Sequence, residues 1–178
     1  IDGAPDAARP RIQLAGMMAT QGDAAGAFHQ LVDLEPHAPQ ALPLVASELI
    51  RIGNQIGMVN HARDVLQRRY ATHPSVDIAD ALVQADVAGG TPLKDAREGY
   101  VRHMAVEPSL IAASRWLSQE TFAHDGVHET VQRSIDEAAR PLARYRCAAC
   151  GFEAQGYFWQ CPGCQAWDSF PPRRIEEL

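Results

Sequence analysis

All four cysteines of this 178-residue chain fall in one stretch, as Cys147-Ala-Ala-Cys150 and Cys161-Pro-Gly-Cys164. A Cys-x-x-Cys segment folds as a tight knuckle that turns two thiolates toward one point. Two knuckles supply the four soft ligands of a tetrahedral metal site. The expected ligands are Cys147, Cys150, Cys161 and Cys164, around one tetrahedral ion. Iron and zinc both suit four sulfurs. Redox thiols or disulfides are the alternative use of such cysteines, but metal spacing favours a metal and a reducing compartment. Gly151 and Gly163 allow the positive φ that a knuckle requires, and Pro162 stiffens the second turn. The ten residues Gly151 to Gln160 between the pairs read as a hairpin. Seven of the twelve aromatic residues lie between Tyr145 and Phe170, so a small aromatic core can surround the sulfurs. A module this short does not fold by hydrophobic burial alone, and metal binding becomes part of its folding free energy.

No other group of residues has the spacing of a reacting centre. His124-Asp125-Gly126-Val127-His128 resembles a zinc protease string, but the acid is aspartate and a glycine interrupts it; it reads as a solvated turn. His29, His37, His61, His73 and His103 are scattered and read as surface residues. Lys94 is the only lysine and no glycine-rich phosphate loop precedes it, which excludes a P-loop nucleotidase. Ser114, Ser118 and Ser134 have no recognisable base, and Asp77, Asp80, Asp86 and Glu120 read as a solvated acidic face. Neither catalytic nor cofactor-binding residues are expected beyond the metal ligands. Charge points the same way. Net charge is −6; 11 basic residues face 18 acidic ones up to residue 139, and five face four beyond it. A nucleic-acid-binding ribbon using Arg140, Arg144, Arg146, Arg173 and Arg174 is therefore the weaker alternative.

The rest of the chain must position this module, and it reads as helices rich in Ala, Leu, Val and Ile. Arg9 to Gly22 forms the first. Asp23 caps a second that begins at Ala24 and is stopped by Pro36. A third begins near Gln40 and turns at Gly53 to Gly57, and a fourth runs from Val59 toward Pro74. Asp77 to Ala88, then Pro92 through Tyr100, make a third pair joined at Gly89-Gly90-Thr91. Ser109 to Ala123, then Val127 to about Ala143, make a fourth. A repeat runs through them. Ala24, Phe28 and Pro36 correspond to Ala62, Leu66 and Pro74, and again to Ala96, Tyr100 and Pro108. The small residue lets two helices approach, the large one fills the groove to the next pair, and proline ends the second helix. Few residues separate Pro141 from Cys147, which is too short for a free linker; the metal module is expected to dock on the last hairpin.

This pattern resembles the tetratricopeptide (TPR) repeat, with Gly53 and Arg69 departing from it. The cysteine module resembles a rubredoxin or zinc-ribbon knuckle pair, with a shorter spacer and Gln165 in place of the usual glycine. The expected architecture is mainly α: a TPR-type superhelix of helical hairpins over residues 5–143, a rubredoxin-like/zinc-ribbon β module over 144–172, and a tail over 173–178. The combination, above all Tyr145-Arg-Cys-x-x-Cys-Gly-Phe152 and Trp159-x-Cys-Pro-x-Cys-x-x-Trp167, resembles the C-terminal half of the lipopolysaccharide assembly protein B (LapB/YciM) family. That resemblance implies a non-catalytic adaptor that regulates lipid A synthesis by promoting degradation of the deacetylase LpxC by the membrane protease FtsH. It also implies protein partners, including other lipopolysaccharide assembly proteins, rather than nucleic acid. It places the intact protein on the cytoplasmic face of the bacterial inner membrane, anchored by an upstream segment. No apolar run in the chain approaches the roughly 20 residues needed to span a bilayer, so this part is expected to be soluble, with homo-oligomers an open option. A rubredoxin-like redox protein is the other alternative.

Overall fold

The computed structural model of the chain describes residues 8–118, 120 and 125–178. It is mainly helical, with one small β module that contains the cysteines, as the sequence predicts. Two compact units divide after Ala96.

The first unit contains α1 (Ala8–Thr20), α2 (Ala24–Val32), the single turn α3 (Leu34–His37), α4 (Leu42–Gln55), α5 (Val59–Thr72), α6 (Val76–Ala88) and the single turn α7 (Leu93–Ala96). α1 packs on α2 and α4 on α5, while α4 also meets α2 and α6, so successive hairpins stack. Asp23 caps α2 by accepting from the Gly26 N–H at 2.8 Å. The stack closes over Phe28, Leu31, Leu49, Ile52, Val65, Leu66 and Ile78, all buried. Ala62 and Leu66 of the repeat are fully enclosed, which fits their roles as close-approach and groove-filling residues.

Two expected turns differ. Pro36 stops α2 from a distance: the helix breaks at Asp33, and Pro36 sits within the first turn of a new helix, α3. Proline has no N–H to return to Val32, so the helical ladder fails one turn ahead of it. At the start of a new turn the missing donor is no loss. Pro74 and Pro108 do follow helix ends. His73 and Glu107 before them are extended, at φ −144° and −134°, because a proline disfavours the helical conformation in its predecessor. The second difference is Gly53, which lies inside α4 and is buried. A Cβ there would come within 3.2 Å of both Ala62 Cβ and Phe28 Cε2. The space that an aromatic would occupy at this position is taken by Phe28 from the preceding hairpin. The turn itself is made by Gly57, at φ +74°.

The second unit contains α8 (Glu98–Val106), α9 (Leu110–Leu117), α10 (Asp125–Leu142), strands β1 (Tyr145–Arg146) and β2 (Glu153–Ala154), and a closing 3-10 turn, Ile175–Glu177. α9 packs against both α8 and α10. Ser109 is the N-cap of α9, accepting from Ala112 N–H at 2.9 Å. α9 ends at Leu117, and of the residues expected to extend it to Ala123, 119 and 121–123 lie outside the described residues. α10 begins at Asp125, two residues before the expected Val127.

His103 is not a surface residue. It is buried, on the same face of α8 as Tyr100 three residues earlier, since residues three apart share a helix face. Burial is the main influence on its imidazole and lowers its pKa; Glu107 and Glu176 oppose this, and Arg115 adds to it. His29, His37, His61 and His73 are exposed. His124 lies outside the described residues, while His128 belongs to α10, with Nε2 3.2 Å from the Leu117 carbonyl. The acidic residues are also less uniformly solvated than expected. Asp86 pairs with Arg63 at 2.8 Å, and Glu120 with the buried Arg97 at 2.6 Å, whose guanidinium also lies over Trp116. No described helix is long and apolar enough to cross a membrane.

The Gly53 crossing yields a direct test. Gly53→Leu forces a branched side chain between Phe28 and Ala62. It is expected to lower stability by about 1–3 kcal/mol through overpacking, read as a shift in the urea unfolding midpoint. A midpoint unchanged or raised would show that the α4–α5 crossing tolerates a side chain.

Candidate metal centre

β1 and β2 pair antiparallel, Tyr145 with Ala154 and Arg146 with Glu153, and the first knuckle is the turn between them. The second knuckle lies inside the antiparallel bridge between Gln160 and Trp167. The Gly151–Gln160 spacer is therefore not a hairpin of its own. Its strand turns back to pair with β1, because each Cys-x-x-Cys already supplies a reversal of the chain.

The two knuckles repeat the same hydrogen bonds. Gly151 N–H donates to Cys147 O at 2.9 Å, and Cys147 N–H to Phe152 O at 2.9 Å. In the second, Gln165 N–H donates to Cys161 O at 2.8 Å and Cys161 N–H to Ala166 O at 2.9 Å. In each, the residue after the second cysteine adopts positive φ: Gly151 at +77° and Gln165 at +62°. Gly163 does not take this conformation, contrary to expectation. Its lack of a side chain serves close approach instead, since a Cβ there would lie 3.3 Å from Phe152 Cβ. The left-handed residue is Gln165, where a side chain brings strain that glycine avoids.

The four Sγ atoms all lie within 4.8 Å of one another. Across the knuckles, Cys147 and Cys164 are 3.9 Å apart and Cys150 and Cys161 3.7 Å. Four sulfurs each about 2.3 Å from a central zinc would stand about 3.8 Å apart at the corners of a tetrahedron. All four cysteines are free of disulfide bonds. Cys147 and Cys161, at the strand ends, are buried, while Cys150 and Cys164, at the turn tips, are exposed. The donor set thus fits a four-sulfur metal ion, and this cluster is a metal-binding site.

The sulfurs also show why a cation belongs between them. The Ser169 hydroxyl, 3.3 Å from Cys147 Sγ, lowers that thiol to about 6, against the effect of burial. At Cys150 the Phe152 N–H favours the thiolate, but Cys164, burial, Cys147 and Cys161 outweigh it and push the thiol up to about 12. One thiolate forms readily and its neighbour resists. Four together require a compensating positive charge.

Around the sulfurs, Tyr157 makes edge contacts with Tyr145, Trp159 and Phe170, with ring centroids 5.6, 4.9 and 6.2 Å away. Burial in this cluster, with a smaller contribution from Asp168, raises the Tyr157 hydroxyl to about 12. Phe170 and Tyr145 are buried, but Phe152, Phe158 and Trp167 remain exposed. Three arginines of the nucleic-acid alternative are engaged within the protein. Arg146 and Arg144 approach Glu153 at 2.8 and 3.6 Å, and Arg174 donates to the Ala143 carbonyl at 2.7 Å. Sequence reasoning did not single out Ser169 or Glu176. They reach their partners across the fold, and no local spacing marks them.

A family model described as a rubredoxin metal binding domain, the zinc ribbon of LapB, matches residues 145–172. Lipopolysaccharide assembly protein B of Escherichia coli K12 is 23% identical over 176 residues, covering 95% of this chain and 44% of that protein. The protein of the same name from Haemophilus influenzae is 31% identical over 81 residues, covering 43% of this chain and 20% of that protein. The chain thus spans less than half the length of these curated relatives. The resemblance to the C-terminal part of that family is borne out.

Cys147→Ser or Cys164→Ser is expected to abolish stoichiometric metal in elemental analysis and to erase the near-ultraviolet dichroism of the Tyr157 cluster. A serine variant that loses the metal yet keeps the dichroism would separate the ribbon fold from the metal, and one that keeps both would show that the replaced cysteine is not a required ligand. Gln165→Gly, which relieves the left-handed strain, is expected to stabilise the loaded ribbon by about 0.5–1 kcal/mol. An unchanged or lower resistance to chelator-induced unfolding would show that Gln165 is unstrained.

Proposed function

We propose that this chain, similar to lipopolysaccharide assembly protein B along nearly its whole length, is part of a non-catalytic adaptor in lipopolysaccharide assembly. The observation that carries the reading is the four-cysteine ribbon continuing directly from α10 within one compact unit. Cys147, Cys150, Cys161 and Cys164 would hold one tetrahedral ion, zinc or iron, whose task is to fix the ribbon. A division into TPR-type repeats over 5–143, the ribbon over 144–172 and a C-terminal segment over 173–178 accompanies this proposal.

The chemistry suits recognition better than catalysis. The ligand set is complete with four sulfurs and keeps no open position for a substrate, as structural zinc sites do. Exposed Phe152, Phe158 and Trp167 are the kind of anchors that dominate protein interfaces. Stacked hairpins supply extended binding surfaces of their own. By resemblance to the family, the intact protein works at the cytoplasmic face of the inner membrane. There it binds FtsH and promotes proteolysis of LpxC, limiting lipid A synthesis.

The test is made in a Gram-negative host lacking its own copy of this adaptor. Supplying the intact protein should shorten the half-life of LpxC several-fold and co-purify FtsH from the membrane fraction. Cys147→Ser should fail on both counts. An LpxC half-life indifferent to the protein would reject the proteolytic role, and full activity of Cys147→Ser would reject the metal's part in it.

A further inference from the structure

Residues 171–178 connect the ribbon to a helix far away in sequence. Pro171-Pro172 leaves the buried Phe170 with little freedom to swing. Beyond it, Arg174 Nη1 donates to Ala143 O at 2.7 Å and its guanidinium lies 4.3 Å over the Tyr145 ring. Ile175 N–H donates to Arg144 O at 2.8 Å. The Glu176 carboxylate then covers the start of α9. One oxygen accepts from Ser109 Oγ at 2.7 Å; the other accepts from Leu110 N–H and from Ile111 N–H at 3.3 Å. The first amides of a helix have no partner within it, and a carboxylate there is favoured by the helix dipole. Ser109 covers Ala112 in turn, so the first three amides of α9 are all satisfied by Glu176 and Ser109.

The other end of this segment is tied to the sulfurs. Ala148 N–H, inside the first knuckle, donates to Ser169 O at 2.7 Å, and Ser169 Oγ stands beside Cys147 Sγ. A continuous path therefore runs from the cysteines through Ser169, Phe170 and the two prolines to Glu176 and α9. The same segment grips both sides of the groove between α9 and α10, a cavity of about 290 Å³. Ile111 and Ala143 both line it. One gives its N–H to Glu176 and the other its carbonyl to Arg174.

We propose that residues 171–178 are a latch through which metal occupancy of the ribbon sets the order of the α9 N-terminus and of the α9–α10 groove. The inference rests on the metal-site reading above. With metal bound, the knuckles hold Ser169 and Phe170, the prolines carry that position forward, and Glu176 is delivered onto α9. Without metal, Ser169 loses its seat and Glu176 is released. Coupling of this kind is reciprocal: whatever metal contributes to the latch, the latch contributes to metal affinity.

The test is amide exchange of the whole 178-residue chain, with and without a zinc chelator, alongside chelator competition for zinc. Removing zinc is expected to speed exchange at Leu110 and Ile111 by roughly tenfold or more, the scale of losing a charge-assisted hydrogen bond. Glu176→Gln, which keeps the shape and loses the charge, should speed the same amides with zinc still bound. It should also weaken zinc binding by a matching factor, whereas Arg173→Ala, an exposed residue of the same segment whose guanidinium reaches Glu177 O rather than α9, should do neither. Amides that ignore zinc removal in a chain that binds zinc would overturn the latch while leaving the metal site intact. A zinc affinity unmoved by Glu176→Gln would overturn it too. A chain that binds no zinc or iron at all would overturn both the latch and the metal-site reading.

Discussion

Four sulfur atoms within 4.8 Å of one another impose the constraint on which the ribbon depends. Thiolates at that separation repel one another. A cation turns the repulsion into attraction. It also explains an economy of structure. The module has two-residue strands, a single bridge between Gln160 and Trp167, and a handful of ring contacts. Such a module buries too little to fold alone. Its remaining stability must come from ligation and from the helices that it joins.

The helices are held by a different force. In the first unit, apolar side chains from successive hairpins interlock, and small residues decide how closely they meet. Gly53 shows this most clearly, because Phe28 and Ala62 both press against the place where its side chain would be. In the second unit polar interactions have a larger share. Arg97 is buried but paired with Glu120 and stacked on Trp116, and Glu176 closes the start of α9. A buried charge is tolerable only when so paired.

Functional interpretation follows from that division of labour. A closed set of four sulfurs favours holding over reacting. Three ring-bearing residues, Phe152, Phe158 and Trp167, are left exposed beside them, the kind of side chain that protein interfaces use as anchors. The similarity to lipopolysaccharide assembly protein B covers nearly the whole chain.

Much of this was legible in residue order alone. Cysteine spacing specified which four thiols come together, because a Cys-x-x-Cys knuckle is a local structure. The repeated small–large–proline spacing specified the hairpins, because helix contacts recur along one chain. What residue order could not reveal was anything settled by a neighbour distant in the chain. Gly53 read as a turn, since nothing nearby showed Phe28 occupying its space. His103 read as a surface residue until its face of α8 was covered. Positive φ was expected at Gly163 and is found at Gln165, while Gly163 gives way to Phe152, a neighbour outside its own knuckle. The four cysteines thus identified the metal centre from sequence. Only the tertiary structure showed that Glu176, 67 residues from Ser109, ties that centre to a helix, since a carboxylate's partner is chosen by proximity in space.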